Sequence, residues 1–423
     1  MFTNRDDRMS NSLFTNNDGS SHSSSSTQDP QMESFPLSRN MYRNCFKTMG
    51  ANKAAELLRY GKSKPDCISL AQGEGTLPTP DFICGATNKA LSEGKTFYSF
   101  GAGLPELRQE IATYYSRIYN VQIPTNRITV TSSGTNAVHY ALLSILEEGD
   151  EVVAVTPIWK NLIGITELAG GHIVEFPMMQ GERGWTLDLD QLFASCSSST
   201  KALLIVTPNN PTGWTMSAQD IKRVTEFARE RGIWIIADEV YGRCVHNDVR
   251  APSFLDYSGD DDRLYVINSF SKSWAMTGWR LGWLIGPADA EDKIRDLILY
   301  ENMGPPTFNQ YGGIEALRHG EDFIKSQKEM WVQNLDQVMA HMDRLSGLKM
   351  VRPDSAFYAF FKVEGCKNSY DLTKQLIDEV GLSLSPGAAF GNGFQDYLRM
   401  CFAVCPDTLA ESLDRLEKFI KKA

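Results

Sequence analysis

The chain has 423 residues, enough for a large core and for two domains. Its 42% hydrophobic and 22% charged content is that of a soluble globular protein, and a formal net charge of -10 argues against nonspecific binding to nucleic acid. Eight scattered cysteines show neither a CxxC pair nor zinc-ligand spacing, which points to reduced thiols, a cytoplasmic protein and no metal, and no run approaches the ~20 apolar residues of a membrane helix.

Residues 1–38 are Ser-rich, contain little that could enter a core, and are expected to form a disordered tail. A mixed, helix-like stretch from Met41 to Tyr60 and the short apolar run Ile68–Ala71 lead into the Gly/Pro turn Gln72–Pro80. Helices are expected over Asp81–Glu93, stopped by Gly94, and over Glu106–Tyr119. Strands of apolar type follow at Ile128–Thr131, Glu151–Val155, Ala202–Val206, Ile233–Ala237 and Leu264–Ile267. Helical patterns alternate with them, at Asn136–Glu147 and in a helix capped by Ser217 and stopped by Gly232. This rhythm predicts an α/β fold: a mostly parallel central sheet covered by helices on both faces. Beyond about Tyr300 a long helical pattern (320–345), strand-like runs at 356–363 and 397–403, and a closing helix at 407–422 predict a smaller α+β domain. The expected division is a tail at 1–38, an arm belonging partly to the small domain at 39–76, a large domain at 77–303 and a small domain at 304–423.

In open α/β sheets ligands bind beyond the carboxyl ends of the strands, so the residues that follow each strand carry the chemistry. Ser133, Gly134 and Thr135 lie at a helix start, where backbone N–H groups favour an anion; a plain helix cap is their ordinary reading. Trp159 after the second strand is ordinarily a core residue, and Pro208-Asn209-Asn210-Pro211-Thr212-Gly213 is ordinarily a turn. Asp238 and Tyr241 follow the next strand, and a carboxylate there requires a partner. Lys272 falls where a buried strand gives way to a loop, flanked by Ser269 and Arg280, both suited to a phosphate. A lysine in such surroundings loses its proton readily and becomes an amine nucleophile able to form a Schiff base. One ligand accounts for the whole set: a phosphorylated, aromatic, basic aldehyde.

The ordered set resembles the fold-type I pyridoxal-phosphate aminotransferases of class I/II. The resemblance rests on Ser269-x-Ser-Lys272 with Met276-Thr-Gly-Trp-Arg280-Leu-Gly, on Asn210-Pro-Thr-Gly, and on Asp238-x-x-Tyr241. It extends to Gly101-x-Gly-Leu-Pro-Glu-Leu-Arg108, Pro386-Gly-x-x-Phe-Gly391 and Leu398-Arg399-Met-x-Phe-Ala403, and covers residue 41 to the C-terminus. It implies that Lys272 bonds covalently to pyridoxal 5'-phosphate and then moves a proton as general acid and base. It implies that Asp238 pairs with the pyridine nitrogen, that Tyr241 and Asn210 bind the cofactor's phenolic oxygen, and that Trp159 stacks on its ring. Ser133, Gly134, Thr135, Ser269 and Arg280 would hold the phosphate, joined by Tyr98 from the neighbouring subunit of a homodimer. Arg399, Asn210 and the backbone of Gly73 would grip the substrate carboxylate.

The resemblance therefore implies a ping-pong transaminase that passes an amino group from an L-amino acid to a 2-oxo acid. Two rivals stand beside it: β-elimination on the same cofactor, and a nonenzymatic ligand sensor. Gly75 and Ser355 depart from the family's usual residues at places expected near the substrate entrance. No residue matches the arginine that reads a second carboxylate in the dicarboxylate-specific subgroup, so the sequence does not support an aspartate donor.

Overall fold

The computed structural model describes Cys45 and residues 52–422; the expectation of a disordered tail, and half of the helix-like stretch expected from Met41, lie outside the described residues. Seven strands form the main sheet: β1 (Ile128–Thr131), β2 (Glu151–Thr156), β3 (His172–Pro177), β4 (Thr200–Val206), β5 (Trp234–Asp238), β6 (Leu264–Ser269) and β7 (Gly282–Ile285). Their spatial order is β1-β7-β6-β5-β4-β2-β3. The pairings β2 with β3, β2 with β4, β4 with β5 and β5 with β6 are parallel, whereas β7 runs antiparallel to both β6 and β1.

The continuous apolar runs have the physical cause expected of them, burial on both faces. Val153, Leu203, Ile205, Ile235 and Val266 enter one core, and Val152, Ala154, Leu204, Ile236 and Ile267 enter another on the opposite face. Three helices on these faces matter below: α1 (Gly134–Leu143), α2 (Lys160–Leu168) and α3 (Ala218–Arg231). The Ser217 side chain accepts the Asp220 N–H at the start of α3, and Gly232 ends it in the left-handed conformation at φ 66°.

A second sheet, fully antiparallel, contains β8 (Leu348–Met350), β9 (Tyr358–Val363), β10 (Ser385–Pro386) and β11 (Tyr397–Cys401), in the order β8-β9-β11-β10. Its core joins Phe361, Leu398 and Met400 to Trp331 and Leu335 of the helix Glu321–Met342 and to Leu409 and Leu413 of the last helix, Pro406–Ile420. The helix Thr307–His319 instead packs Ile314, Ala316 and Leu317 into a core of the large sheet.

Among the elements that lie where the sequence reading set none are two strands and a helix of the described residues. Strand β3 is an edge with half-exposed residues and no clean apolar run. Strand β7 hides inside the stretch that follows Lys272. The helix Ser369–Val380 is marked by Asn368, which caps it, and by Gly381 at φ 64°. The expected loop at Lys272 is corrected to a single helical turn, Phe270–Ser273, whose start is capped by Ser269 Oγ accepting the Ser271 N–H.

Candidate active site

The carboxyl ends of β1, β4, β5 and β6 open into one cleft of about 560 Å³. Sheet register sets its floor. Val206 pairs with Asp238 and Asp238 with Ile267, so Asp238 lies two residues short of Ser269 on the neighbouring strand. The cleft is lined by Gly73, Ser133, Gly134, Thr135, Trp159, Asn210, Asp238, Tyr241, Ser269, Lys272, Arg280 and Arg399, residues that span more than 300 positions of sequence. Tyr98 is the expected site residue that does not join them: it stands 81% exposed on the surface.

Lys272 extends from the helical turn and donates to the Gly73 carbonyl, with Nζ and O 2.5 Å apart. Burial lowers its pKa, which favours the neutral amine that a nucleophile needs. Asp238 is buried, and its described hydrogen-bond partner is the Val240 N–H, 3.1 Å away. Burial pushes its pKa up to about 6, while that N–H and the nearby Lys272 pull it back. A buried carboxylate this poorly satisfied calls for a cationic group in front of it.

At the mouth of α1 the Ser133 side chain accepts the Asn136 N–H at 3.1 Å. Gly134 sits against Ser269: a Cβ added there would come within 3.3 Å of the Ser269 Cβ. Arg280 adopts a left-handed backbone at φ 52° and makes no ion pair with a described residue. A helix N-terminus, a hydroxyl and an unpaired guanidinium make an anion cradle.

Arg399, from β11, is buried with its guanidinium between two rings, 4.4 Å from the Tyr358 centroid and 5.0 Å from that of Phe390. It donates to Asn210 Oδ1 at 2.9 Å, to Ser385 Oγ at 3.2 Å and to the Ala71 carbonyl. Its Nε–H has no partner among the described residues. A buried cation with a donor to spare suits a carboxylate.

A phosphorylated pyridine aldehyde fits this donor set. The cradle could take the phosphate and Asp238 the ring nitrogen, and Lys272 stands unpaired by any carboxylate. Of the two departures noted in the sequence, Ser355 lies elsewhere than expected. Ser355 is fully buried, donates to the Gly213 carbonyl at 2.8 Å and does not line the cleft. Gly75 lines a small cavity of about 30 Å³ that shares Glu74, Ser271, Lys272 and Thr277 with the cleft.

Tyr358 and Lys160 are among the lining residues that escaped the sequence reading. Tyr358 lay inside the run Ala356–Val363, where only the pairing of β9 with β11 reveals that it faces Arg399. Lys160 follows Trp159 at the first position of α2, and a lone lysine there carries no signal of its own.

Residues 65–416 match the family described as aminotransferase class I and II. The chain is 33% identical over 377 residues to the "probable aspartate/prephenate aminotransferase" of Aquifex aeolicus, covering 88% of this chain and 94% of that protein. It is 32% identical over 359 residues to "aromatic-amino-acid aminotransferase 2" of Thermococcus litoralis, covering 84% and 92%. Its structure superposes on that of the aspartate aminotransferase of Thermotoga maritima with a TM-score of 0.84 at 30% identity, covering 90% of this chain and 100% of the other. The chain thus belongs to the class I and II aminotransferases. It is a pyridoxal-phosphate-dependent transaminase that moves an amino group from an amino acid to a 2-oxo acid.

Proposed function

We propose that the amino donor is an L-amino acid with a second acidic group, and that Lys160 reads that group. The observation that carries this is the charge of the cleft. Lys160, Lys272, Arg280 and Arg399 line it, against only Asp238 and Glu74. The phosphate neutralises Arg280, and the substrate α-carboxylate neutralises Arg399. Lys160 makes no ion pair or hydrogen bond with a described residue, although its charge acts on Glu167 of the same helix, and it is the cleft cation that neither the phosphate nor the α-carboxylate takes up. Relatives named for aspartate and for aspartate/prephenate support the same substrate class.

Each group has its task. Pyridoxal phosphate, when bound, supplies an aldehyde to take up the amino group and an electron-poor ring to accept the electrons released at the substrate Cα. Lys272 would be the amine that holds the cofactor and would carry a proton to and from the substrate Cα. Asp238 keeps the ring nitrogen protonated. Tyr241 and Asn210 would bind the phenolic oxygen, and Trp159 would cover the ring face. Ser133, Gly134, Thr135, Ser269 and Arg280 hold the phosphate. Arg399, Asn210 and the Gly73 backbone orient the substrate.

The working unit is a homodimer in the cytoplasm. Phe97, Tyr98 and Tyr300 are 82%, 81% and 88% exposed, beside Phe100, Leu299 and Met303. The patch is knitted together: Thr307 Oγ1 donates to the Phe97 carbonyl at 2.6 Å, and a Cβ on Gly101 would lie 3.5 Å from Leu299. An exposed apolar surface of this kind fits a second copy, and Tyr98 on it is free to enter the partner's cleft. Cys67, Cys84, Cys196, Cys244, Cys366, Cys401 and Cys405 are free thiols, in keeping with a reducing compartment. Among the described residues no helix is long and apolar enough to cross a membrane.

The test loads the protein with cofactor and gives it one amino acid at a time, following the absorbance of the bound cofactor. Aspartate or glutamate should react faster than alanine, leucine or phenylalanine. Lys160→Met should slow the acidic donors about tenfold and leave the neutral ones unchanged. Faster reaction with a neutral donor, or an equal loss on all donors in the variant, would sink the assignment.

A further inference from the structure

Tyr358 touches three parts of the site at once. It opens β9, opposite Cys401, so that Arg399 stands diagonally across the pair on β11. The face of its ring lies 4.4 Å from the Arg399 guanidinium carbon. Its hydroxyl lies 2.6 Å from the Tyr241 hydroxyl. Gly73 abuts that same hydroxyl so closely that an added Cβ would stand 2.2 Å from it, and the Gly73 carbonyl is the one that holds Lys272. The side chain is fully buried.

Hydrogen counting sets the direction of the contact between the phenols. Two hydroxyls at this separation share one hydrogen, so one donates and the other accepts. Asn210 Nδ2 approaches the Tyr241 oxygen at 3.5 Å and can only donate. If Tyr241 donated to Tyr358, it would have no hydrogen left for the cofactor. Burial pushes both phenols above their ordinary pKa, so both keep their hydrogens at working pH. The other ionisable groups that act on the pair are Arg399, Cys401 and Cys244 for Tyr358, and Arg399 and Asp238 for Tyr241.

We propose that Tyr358 is a positioning residue that couples the two binding functions of the site. Its hydroxyl donates to Tyr241 and thereby aims the Tyr241 hydrogen at the cofactor's phenolic oxygen; its ring holds the plane of the Arg399 guanidinium that receives the substrate carboxylate. The inference rests on the roles given to Tyr241 and Arg399 above and adds a residue that binds neither ligand.

Three variants of the cofactor-loaded enzyme separate these effects. Tyr358→Phe removes the hydroxyl and keeps the ring, Tyr358→Leu removes both, and Tyr241→Phe is the reference. The readouts are the pH midpoint of the bound cofactor's absorbance change, and KM and kcat with glutamate. Losing a donor destabilises the phenolate and raises the midpoint. Tyr241→Phe should raise it by about one unit, and Tyr358→Phe by about half a unit with KM within about twofold of the parent. Tyr358→Leu should raise the midpoint similarly and raise KM about tenfold. A Tyr358→Phe midpoint equal to the parent's, with Tyr241→Phe shifted, overturns the hydroxyl's role. An unchanged KM in Tyr358→Leu overturns the ring's. If Tyr241→Phe leaves the midpoint in place, the assignment of Tyr241 to the cofactor fails, and the coupling falls with it.

Discussion

Lys272 and Gly73, 199 residues apart in sequence, meet in a hydrogen bond of 2.5 Å between the lysine Nζ and the glycine carbonyl. The bond holds the amine without neutralising it. A carboxylate in that place would stabilise the ammonium; a carbonyl accepts from either protonation state and leaves burial to lower the pKa. Lys272→Ala removes the one group that bonds to the cofactor and moves the proton. Turnover should fall by at least about 10³-fold, the scale of lost general acid and base catalysis. The phosphate cradle remains, so the variant should still carry cofactor through gel filtration, seen in its absorbance. Turnover above about 1% of the parent's would remove Lys272 from the chemistry.

Asp238 links function to pH. Its folded pKa, raised by burial to about 6, exceeds the 3.8 of an unhindered aspartate. Between those values the cofactor-free folded state binds more protons than the unfolded state. The contribution of Asp238 to stability is therefore greatest below about pH 4, declines as pH rises to about 6, and is level above that. Asp238→Asn removes the buried charge. Above pH 7 the cofactor-free variant should be more stable by roughly 3 kcal/mol, and near pH 4 the difference should vanish. Transamination should nevertheless be lost, because an amide cannot keep the ring nitrogen protonated. Thermal melts of the two cofactor-free proteins across pH 4–8 decide this; parallel curves would show that Asp238 is not strained by its burial.

The parts of the site that were legible in the sequence are those that local chemistry marks. Asp238 follows a run of apolar residues that can only be a buried strand, and Ser217 and Gly232 announce the two ends of a helix. Lys272 was legible as an amine in apolar surroundings, although the helical turn that carries it was not. Tyr358 was illegible because its meaning lies in a diagonal between two strands whose partners are some forty residues apart. Ser355 was misplaced for the same reason: its proximity to Gly213 is a fact of tertiary structure, and the residue plugs a backbone contact instead of facing substrate. Strand β3 was missed because an edge strand with half-exposed residues carries no continuous apolar signal.

The glycine of the Arg280-Leu-Gly282 motif has a physical explanation in the structure. Gly282 pairs with Thr131 on β1 and with Ser269 on β6, directly under the start of α1. A Cβ there would lie 2.6 Å from the Gly134 amide nitrogen, 2.8 Å from the Ser133 carbonyl carbon and 2.8 Å from the Asn268 carbonyl oxygen. All three are backbone atoms, which cannot swing aside as a side chain would. Gly282→Ala should therefore push α1 away from the sheet and disturb the N–H groups proposed to receive the phosphate. Overpacking of this kind costs about 1–3 kcal/mol. Cofactor affinity should fall roughly tenfold or more in addition. Equilibrium dialysis against pyridoxal phosphate, with a denaturant melt alongside, reads the two effects separately. Gly278 is the control: a Cβ there meets nothing within 4 Å, so Gly278→Ala should alter neither quantity. Equal behaviour of the two variants would mean that the close approach of Gly282 to Gly134 does not shape the phosphate site.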